Sequence, residues 1–165
     1  MDGDWMIREA EEKDIERIRD IYNQGIADRI ATLEERPKTR EEMDMWFRQR
    51  SSRYAVLVAV RAGAVQGWAS LNPYSHRCAY SGVADISIYI DRSWRGKGAG
   101  SLLLRALEEK AKANGFYKLV LFTFPFNQRG QGLYWKMGFR EVGIFRNHGK
   151  LDGRFVDVMA MEKLL

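Results

Sequence analysis

The 165-residue chain predicts an α/β fold, an α+β mixed sheet with helices on both faces, and three features predict it. Helical and strand-like hydrophobic periods interleave from one end to the other, which disfavours all-α and all-β architectures. Turn signals sit between strand-like runs, at Arg61-Ala62-Gly63-Ala64 and at Asp152-Gly153, so neighbouring strands pair as hairpins. The run Ala84 to Ser101 passes from a strand through a glycine-rich basic turn into a helix, the arrangement of an α/β unit. One domain over residues 1–165 is expected, and 45% hydrophobic content suffices for a core.

In order, Trp5 to Glu9 reads as a first strand. Ile15, Ile18, Ile21-Tyr22 and Ile26 share one face of a first helix with an acidic start. An irregular polar stretch closes at Pro37, and the capping box Thr39-x-x-Glu42 opens a second helix. Tyr54 to Val60 and Val65 to Leu71 are strands, Asn72 to His76 a loop, and Tyr80 to Ile90 the next strand. Leu103, Leu104, Leu107 and Ala111 form the apolar face of a third helix that ends at Gly115. Leu119 to Phe124 is continuously apolar, hence a strand expected to be buried on both faces. A short helix spans Gln128 to Met137, with Tyr134 placed on the face away from Met137, and two strands, Glu141 to Phe145 and Phe155 to Met161, end the chain. The order is βααβββαβαββ.

Composition narrows the function. The net charge is +5 and the pI about 9.4, but the basic residues are scattered, so a solvated surface with one anion site is favoured over nucleic-acid binding. A single cysteine, Cys78, excludes an internal disulfide and suits a reducing compartment. The acidic opening Met1-Asp2-Gly3-Asp4 does not read as a signal peptide, and no apolar run approaches ~18 residues, so a cytoplasmic protein with no membrane partner is expected. The two histidines, His76 and His148, lack partners at metal-ligand spacing, so no metal site is predicted.

The most informative stretch is the glycine turn. Gly96, Gly98 and Gly100 fall among Arg95, Lys97, Ala99 and Ser101, directly before a helix. The first turn of a helix has unpartnered N–H groups and a positive dipole end, and glycine lets a ligand approach the backbone, so a phosphate-bearing ligand is the natural guest. A nucleotide P-loop fails because Asp91 stands where its first glycine belongs. A dinucleotide fingerprint counted from Gly96 has Ser101 at its third glycine and lies past mid-chain. The pattern [QR]-x-x-G-x-[GA] is met in full by Arg95, Gly98 and Gly100.

That pattern resembles the acetyl-coenzyme A loop of the GCN5-related N-acetyltransferase (GNAT) superfamily. The runs Arg77 to Tyr80, Asp85 to Ile90 and Arg95 to Gly98, with Ile21-Tyr22-Asn23 and Asn127 to Phe139, resemble its phosphinothricin and methionine sulfoximine branch. The resemblance covers nearly the whole chain. It implies acetyl-CoA as co-substrate, no metal, and direct transfer to the α-amine of a small amino acid or analogue. It further implies that Ile88, Tyr89 and Ile90 hold the pantetheine, while Arg95, Gly96, Lys97, Gly98, Ala99, Gly100 and Ser101 surround the pyrophosphate. In N-x6-Y-x3-G-F, Tyr134 matches the residue that protonates the departing thiolate, and Asn127 both caps its helix and bonds the pantetheine. Asp85 stands where the branch usually carries a glutamate base, and Val83 replaces a usual threonine. An α-amine of pKa ~7.7–8.0 asks less of a base than a lysine amine near ~10.4, which suits this shorter carboxylate. Arg77, with its planar fork, and Tyr80 are placed to hold the acceptor. A homodimer is common in the family. Acetylation of a protein N-terminus or polyamine, and a CoA-binding sensor without turnover, stay open as alternatives.

Overall fold

Strand alternation decides which helix covers which face of the sheet. The computed structural model describes residues 4–165, so the reading of the acidic opening falls largely outside the described residues. Strand β1 (Met6–Glu9) leads to helices α1 (Ile15–Asp28) and α2 (Arg40–Arg48), then strands β2 (Val56–Arg61), β3 (Ala64–Pro73) and β4 (Val83–Ile90). Helix α3 (Ala99–Ala113), β5 (Lys118–Thr123), α4 (Gln128–Lys136), β6 (Arg140–Leu151) and β7 (Arg154–Leu164) follow. The order is the predicted βααβββαβαββ, folded as one seven-stranded sheet ordered β1-β2-β3-β4-β5-β7-β6.

In β2, Leu57 and Ala59 join Leu103, Leu104 and Leu107 of α3 in the larger core, while Val56 and Val58 join Ile15, Ile18 and Ile21 of α1 and Met43 of α2 in a second one. Each buried leucine of α3 contributes roughly 1.5–3 kcal/mol. The capping box forms as written: Thr39 Oγ1 accepts from the Glu42 amide at 3.1 Å and the Glu42 carboxylate accepts from the Thr39 amide at 2.9 Å. Asp152 and Gly153, at φ 52° and 78°, make the tight turn of a β6–β7 hairpin that runs well beyond the predicted strand ends.

Two departures from the sequence expectation shape the site. Asn72 and Pro73 continue β3 rather than starting a loop, because they pair with Asp85 and Ala84 of β4. Phe122 of β5 is 44% exposed, so that strand is not buried on both faces. The cause is the sheet itself: β4 and β5, its one parallel pair, share only Val83–Lys118, Ala84–Leu119 and Asp85–Val120, then part. Past Val120, β5 has no neighbour on that side and its outward ring borders a cleft.

Asp91 anchors the start of the glycine turn. Its carboxylate accepts from Arg17 Nη2 at 2.8 Å, Gln24 Nε2 at 3.0 Å and the Ser93 amide at 2.8 Å. Burial works to raise this group, but these donors win and hold it down at about 2. With its folded value below the ordinary 3.8, its stabilisation is complete above that pH and fades as pH falls toward 2. Asp91→Ala is expected to cost about 1–3 kcal/mol at pH 7, read by urea denaturation, with the difference from wild type shrinking in acid.

Candidate active site

The parting of β4 and β5 opens a groove of about 720 Å³, and the glycine turn closes one end of it. Gly96 and Gly98 sit at φ 77° and 95°, a left-handed region that suits glycine, and Gly98 caps α3. The first intrahelical bond runs from Leu102 to the Gly98 carbonyl, so the amides of Ala99, Gly100 and Ser101 are free to face the groove they line. Gly98→Ala should strain the turn and misaim these donors without steric crowding, since beyond the adjoining backbone no atom lies within 4 Å of an added Cβ. The dissociation constant for coenzyme A, measured by calorimetry, is expected to rise about tenfold or more, the equivalent of ~1.4 kcal/mol.

The two cations of the turn behave differently. Arg95 lines the groove but is held by Asp28 at 2.9 Å and by the Ile90 carbonyl at 3.3 Å. Lys97 lies off the groove wall, its Nζ 5.2 Å from the Trp94 ring centroid. Arg129, which the sequence reading passed over, faces the groove from α4, its Nη1 4.0 Å from where a Cβ on Gly96 would stand. No motif flagged it; its place two residues after the helix cap Asn127 was the available signal. Asn127 Oδ1 accepts from the Gly130 amide at 3.1 Å, so the cap forms, and the residue also lines the groove.

Ile88, Tyr89 and Ile90 line the groove along the stretch of β4 that has left β5. Ala84 and Ile86 belong to the α3 side of the sheet, so Asp85, Ser87 and Tyr89 point to the opposite face. There a second cleft of about 410 Å³ is lined by Pro73, Tyr74, Ser75, Arg77, Tyr80, Asp85 and Phe122. Asp85 and Phe122 border both spaces, at the point where the strands separate. Arg77 and Tyr80 thus line the same cleft as Asp85, and the Arg77 guanidinium is engaged in no ion pair or hydrogen bond among the described residues.

Electrostatics distinguish two groups. Burial raises the Asp85 carboxyl to about 7, against hydrogen bonds from the Asn72 side chain and the Ile86 amide that pull it down. A carboxyl in that range exchanges a proton near neutral pH. Burial, with the Asp85 charge adding to it, pushes the Tyr134 hydroxyl up to about 12, so it keeps its proton. The expected separation of helix faces does not occur: Leu133, Tyr134 and Met137 all pack on the larger core, Tyr134 against Phe139 at 6.0 Å between ring centroids. Tyr134 still lines the groove, and its hydroxyl bonds to no described residue. Among the described residues no helix is long and apolar enough to cross a membrane, and no cluster of metal-binding side chains occurs.

Comparison with known proteins agrees with this geometry. Residues 11–139 match the acetyltransferase (GNAT) family. YwnH of Bacillus subtilis is 36% identical over 160 residues, 96% of this chain and 98% of that protein. The L-methionine sulfoximine/L-methionine sulfone acetyltransferase of Pseudomonas aeruginosa is 33% identical, over 94% of this chain and 92% of its own length. The crystal structure of a phosphinothricin acetyltransferase from Sinorhizobium meliloti in complex with acetyl-CoA superposes with a TM-score of 0.92 at 30% identity, covering 98% of this chain and 88% of that one. With residues 11–139 matching that family and relatives above 30% identity along nearly its whole length, on a mixed sheet split between β4 and β5, the chain belongs to the GNAT family and is an N-acetyltransferase.

Proposed function

We propose that the protein transfers the acetyl group of acetyl-CoA to the α-amine of a small amino acid or amino-acid analogue, by direct transfer between two bound substrates. One observation carries this reading: Asp85 stands at the fork of β4 and β5, bordering both the groove and the second cleft. The groove fits acetyl-CoA through its free donors at Ala99, Gly100 and Ser101 and the cation of Arg129. Acetyl-CoA supplies an acetyl group as a thioester. Asp85, with its carboxyl at about 7, accepts the proton of the amine, directly or through water. Tyr134 holds a proton facing the groove, ready for the departing sulfur. Arg77 offers a fork to the acceptor's carboxylate or phosphinate oxygens.

The names of two relatives support an amino-acid acceptor, one acting on methionine sulfoximine and one on phosphinothricin. The test is thiol release from acetyl-CoA against methionine sulfoximine, phosphinothricin, the common L-amino acids, a polyamine and a peptide N-terminus. Turnover fastest with one of the amino acids is expected, and Arg77→Ala should raise KM for it about tenfold or more while kcat holds. Preference for the polyamine or peptide overturns the acceptor class.

A further inference from the structure

The face that carries Asp85 also holds a half-buried guanidinium with no carboxylate partner among the described residues. Arg50 lies just past α2. Its Nε donates to the Tyr54 carbonyl at 3.1 Å, and its Nη2 donates to the Leu71 carbonyl and to Asn72 Oδ1, the latter at 3.0 Å. Its Cζ lies 4.6 Å from the Trp46 ring centroid. Burial without an anion pulls this guanidinium down to about 10. A cation in such a place is costly unless acceptors meet its donors.

Asn72 supplies one. It stands directly opposite Asp85 in the β3–β4 register, on the same face. Its Oδ1 accepts from Arg50 Nη2 and from Ser70 Oγ, each at 3.0 Å. Arginine can only donate, so the amide oxygen must face it and the amide nitrogen must turn the other way. There Nδ2 donates to Ser87 Oγ at 3.1 Å, on the face it shares with the directly opposed Asp85, whose carboxyl the Asn72 side chain works to hold down. An amide without this restraint can rotate end for end and set its oxygen against the carboxylate.

We propose that Arg50 is a positioning residue for Asp85: by holding the Asn72 oxygen it commits the Asn72 amide nitrogen to the carboxylate. The consequence for transfer rests on Asp85 being the base. Tyr134 of α4 and Tyr89 of β4 also feel this carboxyl's charge, and Arg77 and Tyr80 line the second cleft with it. Among the described residues, however, the donors that favour its charged form are the Asn72 side chain and the Ile86 amide. Losing the Asn72 donor removes one of these two, and the carboxyl then gives up its proton at higher pH.

The test titrates the Asp85 carboxyl by carbon-13 NMR, without substrate, in wild type, Arg50→Met, Arg50→Lys, Asn72→Ala and the Arg50→Met/Asn72→Ala pair. The pH dependence of kcat/KM with methionine sulfoximine is followed in parallel. Arg50→Met and Asn72→Ala should each raise the titration midpoint by about one unit. The double variant should shift no further than Asn72→Ala alone, and Arg50→Lys should recover most of the wild-type value. Arg50→Met also strips donors from two carbonyls; should it not fold, Asn72→Ala decides, since it keeps those bonds. An unmoved Asp85 midpoint in folded Asn72→Ala or Arg50→Met, or full additivity in the pair, overturns the relay. A moved NMR midpoint with an unmoved acidic limb of kcat/KM upholds the relay and overturns Asp85 as the base.

Discussion

Asp85→Asn is expected to lower kcat/KM by about 10²–10⁴-fold, the usual contribution of a positioned general base, and to remove the acidic limb that wild type should show near pH 7. The same change should stabilise the protein, and the pH dependence gives the sign. The folded value of about 7 lies above the ordinary 3.8, so the fold disfavours the charged carboxylate. That penalty is absent below pH ~4, grows as pH rises through the window to ~7, and is constant above it. At ~1.36 kcal/mol per unit, asparagine should gain about 4 kcal/mol at pH 8 and almost nothing at pH 4. Urea denaturation of both proteins at the two pH values checks this. An equal gain at both would show that Asp85 is charged without penalty, and the mechanism would lose its base.

Tyr134→Phe should lower kcat by about 10²-fold while leaving coenzyme A affinity and folding stability close to wild type. The ring contact with Phe139 survives the substitution, and the lost hydroxyl bonds to no described residue, so stability should move by less than about 0.5 kcal/mol. Since burial pushes that hydroxyl up to about 12, wild type should keep its activity through pH 10, where an ordinary tyrosine would ionise. Pre-steady-state measurement of thiol release separates this effect from product dissociation. A variant with undiminished kcat would leave the sulfur to take its proton from solvent.

Much of the site was readable because it depends on backbone and on short-range pattern. Glycine spacing before an apolar helix specifies free amides whatever packs around them, so Gly98, Ala99, Gly100 and Ser101 were visible at once. The Asn127 cap and the Thr39 capping box were likewise local. Side-chain aim was not. Lys97 sits in the same turn yet rests on Trp94, and Arg95 answers to Asp28, 67 residues earlier in the chain. Asn72 to His76 read as a loop, but pairing with β4 carried the strand through Asn72 and Pro73.

What the chain specified alone was the alternation of helix and strand and the anion-holding turn, since each follows from residue type within a few positions, while Asp85 and Tyr134 were singled out by resemblance to a known family. Only the tertiary structure decided that β4 and β5 part after Asp85, and that separation makes the groove, exposes Phe122 and places one carboxyl between two clefts. It also set Arg50 behind Asn72 and raised the Asp85 carboxyl. Burial and the direction of a hydrogen bond are properties of surroundings assembled from distant segments, and no local pattern carries them.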